Sequence, residues 1–325
     1  MSIKEDYSFA GKPVVTWQVG HPLPDPATSA IRLSVGGAGN HPDFATYFQA
    51  FLQLPGLEKV DTLLIGNWGA AYENSIRQAL DPFVAAAECF PALRHLHLAD
   101  IPYTESEVSW IHLGDISDLF PAFQGLQTLL IKGSAGLVME NIRLPQLETL
   151  DIVSAGLPAR ITQQIAAAEL PKLRHLELWL GSYGHGCNLT PDDLDQLLDA
   201  LPRFPALSHL ALCNYELANQ LAQQLAEHPP LPDSITHLDL SKGTLADHGA
   251  QALLTQAERL NRLERLDLHH HYLSDEMMAT LSEQLSCRLN LNDQEEADYE
   301  FDEDDPLEDD EDPEDYTYRF IFLSE

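Results

Sequence analysis

A short pattern of leucines, Leu-x-x-Leu-x-Leu, recurs along the chain and constrains its fold more than any other feature. Four copies carry leucine at all three positions, and four variants replace one or both outer leucines by valine or isoleucine. The central leucines of these eight copies are Leu63, Leu96, Leu129, Leu150, Leu176, Leu210, Leu238 and Leu266. Weaker copies centre on Leu33 and Leu289, and successive copies lie 21 to 34 residues apart. A repeat of this length predicts a stack of similar strand-and-helix units.

The spacing within the motif decides which side chains face the core. Alternate residues of a strand point to the same side, so motif positions four and six face inward, and positions three, five and seven face outward. After the strand centred on Leu238, the residues Leu245, Ala250, Leu253 and Leu254 have the spacing of one helix face. Strands this short become stable only by stacking on their neighbours. The sequence therefore predicts an α/β leucine-rich-repeat solenoid (a horseshoe), with about ten parallel strands on the concave face and helices on the convex face.

We expect residues 1–325 to form a single leucine-rich-repeat domain with a covered sheet edge at each end. Its predicted parts are an N-terminal cap (1–29), the repeats (30–292), an acidic disordered loop (293–315) and a C-terminal capping strand (316–325). Open sheet edges need covering, so antiparallel capping strands are expected at both ends. At the N-terminus, residues 14–17 are predicted to pair with residues 31–35. At the C-terminus, the strand-prone residues 316–323 are predicted to pair with residues 289–291.

The charge of the chain limits its partners. It has 51 acidic and 18 basic residues, a formal net charge of −33, and sixteen of the carboxylates lie in residues 293–315 with no Lys or Arg among them. An acidic surface repels phosphate backbones and anionic membranes, so we expect no nucleic acid and no membrane as partner. The acidic run is predicted to stay a solvated, disordered loop. Its alternatives are a basic partner or weak Ca²⁺ binding, although it contains no glycine and so no EF-hand spacing.

Other features of the sequence favour a cytoplasmic protein. The four cysteines, Cys89, Cys187, Cys213 and Cys287, form no C-x-x-C pair, which favours reduced thiols in a reducing compartment. The first nine residues lack the apolar centre of a secretory signal. No run of 18 apolar residues is present, so no membrane span is predicted.

Three further motifs carry a more specific resemblance. They are Ser-Trp-Ile at residues 109–111, LELWLG at residues 176–181 and LDLHHHYLS at residues 266–274, and the last repeats look like those of ribonuclease-inhibitor-type proteins. Together they resemble a family of bacterial cytoplasmic leucine-rich-repeat proteins of unassigned function, over most of the chain. Genes of that family often lie near radical-SAM-type, ATP-grasp-type and sulfatase-like enzymes. The resemblance implies an accessory role in a small biosynthetic system and carries over no catalytic residue.

The outward motif positions in the later repeats concentrate histidines, carboxylates and one tryptophan. Parallel strands lie about 4.8 Å apart, so His175, His209 and His237 at position three should form a column of imidazoles. The predicted partner-contact set is Trp179, Glu177, His175, His209, His237, Asp239, Asp267 and His269. Buried tryptophans often dominate interface energy, so Trp179 is the predicted anchor. We therefore expect a non-catalytic interaction protein that needs no cofactor and binds a protein or peptide on the concave sheet.

Two other functions fit the same residues. His175, His209, His237 and Asp239 could hold a divalent transition metal, because imidazole and carboxylate are common ligands of such ions. The same groups could act as a general acid and base, or as a pH-sensitive docking surface.

Two other stretches, the histidine run and a glycine-rich segment, can each be interpreted either as a structural feature or as part of a functional site. Consecutive strand residues point to opposite faces, so His269, His270 and His271 are not expected to converge on one ion. His271 is predicted to be a core histidine bonded to the backbone. The glycine-rich residues 181–186 are either an ordinary long loop or the rim of a binding site, and they are not a P-loop.

Overall fold

The computed structural model describes residues 7–36, 43–299 and 317–323, and most of them belong to one curved repeat structure. A 12-stranded sheet has its strands in sequence order; the first pair is antiparallel and the later pairs are parallel. Its strands are β1 (Ser8–Phe9), β2 (Lys12–Thr16), β3 (Ala30–Leu33), β4 (Thr62–Ile65), β5 (His95–Leu98), β6 (Thr128–Lys132), β7 (Thr149–Val153), β8 (His175–Gly181), β9 (His209–Tyr215), β10 (His237–Asp239), β11 (Arg265–Asp267) and β12 (Arg288–Asn290).

Helices follow most of the strands and return the chain along the other side of the sheet. They are α1 (Phe44–Phe51), α2 (Arg77–Ala85), α3 (Leu119–Ala122), α4 (Ala159–Ala166), α5 (Pro191–Ala200), α6 (Ala218–Glu227), α7 (Asp247–Leu254), α8 (Ala257–Leu260) and α9 (Asp275–Gln284). Short 3₁₀ turns span Leu57–Lys59, Ala87–Cys89, Val108–Trp110, Tyr183–His185 and Leu201–Arg203. None of the helices in the described ranges is long and apolar enough to cross a lipid bilayer.

The register of the sheet places equal motif positions side by side. Leu176 of β8 pairs with Leu210 of β9, which pairs in turn with Leu238 of β10, and the same holds along the other repeats. These inward leucines are buried and pack against the helices, so the core lies between the sheet and the helical layer. Burial of this continuous apolar stripe is what stabilises strands that could not persist alone.

The N-terminal half of the core is aromatic as well as aliphatic. Phe48 and Phe51 of α1 stack with Phe90, and Phe83 of α2 stacks with Phe123 at 4.7 Å between ring centroids. These rings fill the space between the sheet and the short helices of the first repeats. Aromatic packing thus supplements the leucines that define the motif.

The predicted α/β solenoid of horseshoe type is confirmed, and its N-terminal end is close to the expectation. Residues 14–16 pair with residues 30–32 as predicted, but the pairing is parallel. The antiparallel partner at this end is β1, which forms a hairpin with β2. These two strands are also the reason that the sheet has 12 strands where about ten were expected.

The prediction for the C-terminal strand was wrong in its partner. Thr317–Tyr318 (β14) pairs antiparallel with Asp298–Tyr299 (β13) in a separate two-stranded sheet, and not with residues 289–291. Residues 320–323 then run past β11 and β10 to β9, where side-chain and main-chain groups bind them. Hydrogen bonds at these strand ends hold the segment along this path.

The acidic run is described only in part. Within it, Gln294 bridges to His271 and residues 298–299 form β13, so the first part of the predicted disordered loop has ordered contacts. Residues 300–315 lie outside the described residues. The disorder, Ca²⁺ and basic-partner predictions for that part therefore stay predictions.

Candidate binding site on the concave face

Strands β8, β9 and β10 place the three predicted histidines in a column. The His175 and His209 rings stack with their centroids 4.1 Å apart, and the His209 and His237 rings stack at 5.7 Å. The cause is the parallel register, which pairs His175 with His209 and His209 with His237. The column predicted from the motif is present.

His175 is bound by two carboxylates. Its Nε2 lies 3.2 Å from Asp151 Oδ1 on β7 and 3.4 Å from Glu177 Oε2 on its own strand. Glu177 also accepts a hydrogen bond from the indole Nε1–H of Trp179 at 2.6 Å. Residues 151, 175, 177 and 179 therefore form one connected, partly exposed group, which we call the His175 cluster.

Charge is unevenly distributed within the His175 cluster. Burial opposes protonation of His175, but its hydrogen bonds to Asp151 and Glu177 raise its pKa to about 9. Burial alone would raise the pKa of Glu177, yet hydrogen bonds from His175 and Trp179 lower it to about 2. Burial raises the pKa of Asp151 despite the neighbouring imidazole. At neutral pH the cluster therefore contains an imidazolium that lies between the carboxyl groups of Asp151 and Glu177.

His209 has the opposite protonation preference. Burial lowers its pKa to about 4, and electrostatic interaction with the histidines on either side adds to the effect. A neutral ring consequently stacks on a cationic one. Such an arrangement avoids the repulsion of two adjacent cations and keeps the column intact at neutral pH.

The four residues predicted as metal ligands do not converge. Within the described part of the chain, ligand atoms of three candidate residues come within 4.8 Å of one another only for Asp151, His175 and Glu177. Asp239 cannot join them, because Ala211 occupies the strand between Glu177 and Asp239. Of the predicted set only His175 lies in the convergent group, and Asp151 was missed although it occupies the same fifth motif position as Glu177.

Asp239 and Asp267 lie beside each other on β10 and β11. Asp239 is partly buried and accepts a hydrogen bond from the backbone N–H of Ser241, and burial raises its pKa. Burial would also raise the pKa of Asp267, but its hydrogen-bonding neighbours lower it to about 2. These neighbours are Asn290, His269 and Arg265. His269 is thus held against Asp267, and this second acidic pair is largely satisfied within the chain.

Trp179, the predicted anchor, is half-buried and contacts two groups from distant parts of the chain. The ammonium of Lys242 lies 5.0 Å from the centre of its ring, a cation–π distance. The Phe322 ring meets it edge-on with the centroids 6.3 Å apart. The sequence did not indicate either contact, nor the neighbouring Asn214 and Tyr272, which also bind the C-terminal segment.

The structure also shows the positions of the histidine run and of the glycine-rich loop. His271 is fully buried, its Nε2 lies 3.2 Å from the carbonyl oxygen of Leu291, and its Nδ1 accepts from the N–H of Leu273, so the core interpretation is correct. Residues 181–186 form a turn whose Tyr183 is 82% exposed, beside Gly181 at the end of β8. That loop borders the site. It gives no indication of a phosphate-binding loop.

Comparisons with known proteins give a structural neighbour. No protein-family model matches the chain, and no curated protein matches it either. A crystal structure of a Bacteroides fragilis protein, determined by a structural genomics consortium, is similar with a TM-score of 0.72 and 28% sequence identity. The match covers 81% of this chain and 76% of that chain. The description of that structure names no ligand or activity, so the likeness supports the solenoid-like α/β architecture of this chain.

Proposed function

We propose that the protein is a non-catalytic interaction scaffold or accessory protein whose concave sheet binds a protein or peptide partner. The observation that carries this proposal is the His175 cluster, in which a cation, two carboxyl groups and an indole from β7 and β8 are held together on one face of the sheet. Such a surface offers hydrogen-bond acceptors and an aromatic contact in a fixed arrangement. Preorganised groups of this kind lose little freedom on binding, which favours affinity.

The protonation states support binding over acid–base catalysis. A general base works best when its pKa is near the working pH. His175 is held protonated up to about pH 9, and His209 stays neutral down to about pH 4. Neither histidine changes charge near neutral pH, so the pair is better suited to recognition than to proton transfer.

The partner-binding proposal predicts a loss of partner recovery when the concave face is changed. The double variant Trp179→Ala plus His209→Ala removes the aromatic contact and the centre of the imidazole column. We expect the affinity for a partner captured by the wild type to fall at least about tenfold, because central tryptophans often contribute about 2 kcal/mol or more. Recovery from native-level extracts, followed by titration calorimetry with the purified partner, measures the change.

The matched control uses the same residue types outside the strands of the sheet. Trp110 is 60% exposed in a 3₁₀ turn, and His112 is exposed two residues later. The double variant Trp110→Ala plus His112→Ala should bind the partner as the wild type does. Equal recovery of every partner by the wild type and by both double variants would contradict binding at the concave face.

A second candidate function is binding of a divalent transition metal by Asp151, His175 and Glu177. The convergence of one imidazole and two carboxylates supports it, since this donor set suits Zn²⁺ and similar ions. A metal would have to displace the proton of His175, so affinity should increase with pH. Untagged wild-type protein equilibrated with Zn²⁺ should then retain about one ion per chain by elemental analysis.

The His175→Gln variant should lose this ion, whereas His237→Gln should keep it, because His237 lies outside the convergent group. Wild-type protein that retains no stoichiometric metal would exclude the site.

The proposal further includes a bacterial, cytoplasmic setting and membership in the leucine-rich-repeat family that the motifs resemble. Support for these statements comes from the sequence patterns.

A further inference from the structure

The C-terminal segment, residues 320–323, lies across the carboxyl ends of three consecutive strands. It contacts the chain at Asn214, which is the penultimate residue of β9, and at Lys242 and His270, which follow β10 and β11. Each of these three residues occupies the eighth motif position, four residues after the central leucine of its repeat. We call them the position-eight row. A contact made by the same position in successive repeats is a property of the repeat surface rather than of one loop.

The row and its neighbour Tyr272 bind the segment mainly through its main chain. The Asn214 side-chain amide donates to the carbonyl of Leu323 at 2.9 Å and accepts from its N–H at 2.8 Å. The Tyr272 hydroxyl pairs with Phe320 in the same double manner, at 2.9 and 2.7 Å. Between them, the N–H of Phe322 donates to the carbonyl of Lys242 at 3.0 Å. Main-chain recognition of this kind accepts an extended peptide of many sequences.

The backbone of the row is held in an unfavourable conformation. The φ angles of Asn214, Lys242 and His270 are 53°, 65° and 54°, in the left-handed region. Asparagine and histidine are enriched in this region, whereas lysine adopts it rarely. Such conformations persist where the surrounding structure imposes them, and they concentrate at ligand clamps. Here the conformation turns the Lys242 carbonyl toward the segment.

Side chains of the segment define the chemistry of the ligand. Ile321 is 7% exposed, whereas Phe320 and Phe322 are 57% and 61% exposed. The Phe322 ring packs edge-on against both Trp179 and His270, the latter at 5.7 Å. The segment therefore buries one aliphatic residue and places a neighbouring aromatic ring in edge-type contacts with Trp179 and His270. More than half of both phenylalanines remains in contact with water, so the occupant is only partly enclosed.

We propose that the position-eight row, with Tyr272 and Trp179, is a binding site for an extended peptide that carries an aliphatic residue between two aromatic residues, and that residues 320–323 are its intramolecular occupant. The inference deepens the proposed function and rests on it, because it names the ligand class of a site that shares Trp179 with the concave face. A partner with this pattern competes with the chain's own segment. A partner must therefore bind the site strongly enough to displace the segment.

Competition has a measurable consequence. An occupant on the same chain acts at an effective concentration on the order of millimolar, independent of protein concentration. A free peptide of the same sequence therefore binds the intact chain weakly. Introducing a charge at the buried position, Ile321→Asp, disfavours the occupied state, because an ionised carboxylate is costly to bury. The site then becomes available to a peptide from solution.

The test is a titration of the full-length protein with a fluorescent peptide that has the sequence of residues 317–323, followed by anisotropy. We expect the Ile321→Asp variant to bind the peptide at least tenfold more tightly than the wild type. Adding Tyr272→Phe to that variant removes the hydroxyl that pairs with Phe320 and should weaken binding several-fold. A peptide with Asp in place of the isoleucine should bind neither protein.

The Val19→Asp variant is the matched control, because Val19 is 57% exposed and lies far along the chain from the row. It should bind the peptide as weakly as the wild type. If the Ile321→Asp variant has the circular dichroism of the wild type and binds the peptide no more tightly, the inference is wrong. The peptide titration requires no native partner and leaves Trp179 and His209 unchanged, whereas the partner experiment alters both residues. The two proposals can therefore fail separately.

Discussion

Replacing Gly181 with alanine should destabilise the protein by about 3 kcal/mol or more. Gly181 is the last residue of β8 and has a φ angle of 74°, which L-amino acids with a side chain rarely adopt. A Cβ at this position would overlap the carbonyl group of Ala155 and the backbone nitrogen of Gly156. Both obstacles are backbone atoms, so no change of side-chain rotamer relieves the overlap. Either β8 or the neighbouring turn must shift.

A shift at Gly181 should also disturb the candidate site, because Trp179 is two residues away on the same strand. Urea unfolding followed by circular dichroism measures the loss of stability. Gly184→Ala is the matched control, since Gly184 lies in the adjoining turn and an added Cβ there meets no atom within 4 Å. That variant should change the unfolding free energy by no more than about 0.5 kcal/mol. Equal unfolding midpoints for the two variants would show that β8 tolerates the side chain.

The second large effect is a pH dependence with opposite signs at two stacked histidines. The pKa of His175 is about 9 in the folded chain, above the ordinary value of about 6.5. Its protonated form therefore stabilises the fold fully below pH 6.5, and this contribution disappears as the pH rises through about 9. The side chain of His175 is 28% exposed, so we expect a contribution of about 1 to 2 kcal/mol after allowance for solvent screening.

His209 should behave in the reverse manner. Its pKa is about 4 in the folded chain, so the unfolded chain takes up a proton first as the pH falls. The wild type consequently loses stability below pH 6.5, and the loss is complete near pH 4.

Urea unfolding of metal-free protein between pH 4 and pH 10 separates the two contributions. The wild type should exceed His175→Gln in stability most at or below pH 6.5, and the difference should vanish above about pH 9. His209→Gln should gain stability relative to the wild type only as the pH falls below 6.5. Parallel profiles for the two variants would contradict the assigned protonation states, and NMR titration of the ring protons gives the pKa values directly.

The sequence alone was sufficient for the repeat architecture and for the face on which each side chain lies. Strand alternation assigned Leu176 to the core and His175 and Glu177 to the concave surface, and the structure places them there. Stacking of equal motif positions was sufficient to bring His175, His209 and His237 together, since parallel repeats of one type align in register. It also assigned the buried His271 to the core.

Other features of the site depend on contacts that the repeat pattern does not specify. Asp151 joins His175 and Asp239 does not, because Ala211 interrupts the row of carboxylates between β8 and β10. The C-terminal segment binds Asn214, which lies 109 residues earlier in the sequence. The strand-prone residues of the segment predicted an extended backbone, but they did not indicate what it would contact. Periodicity determines local direction and register, whereas contacts between a non-repeating segment and the repeats depend on hydrogen bonds and on the space that the folded solenoid offers. For that physical reason only the tertiary structure could show that Trp179, the predicted anchor, contacts Lys242 and Phe322.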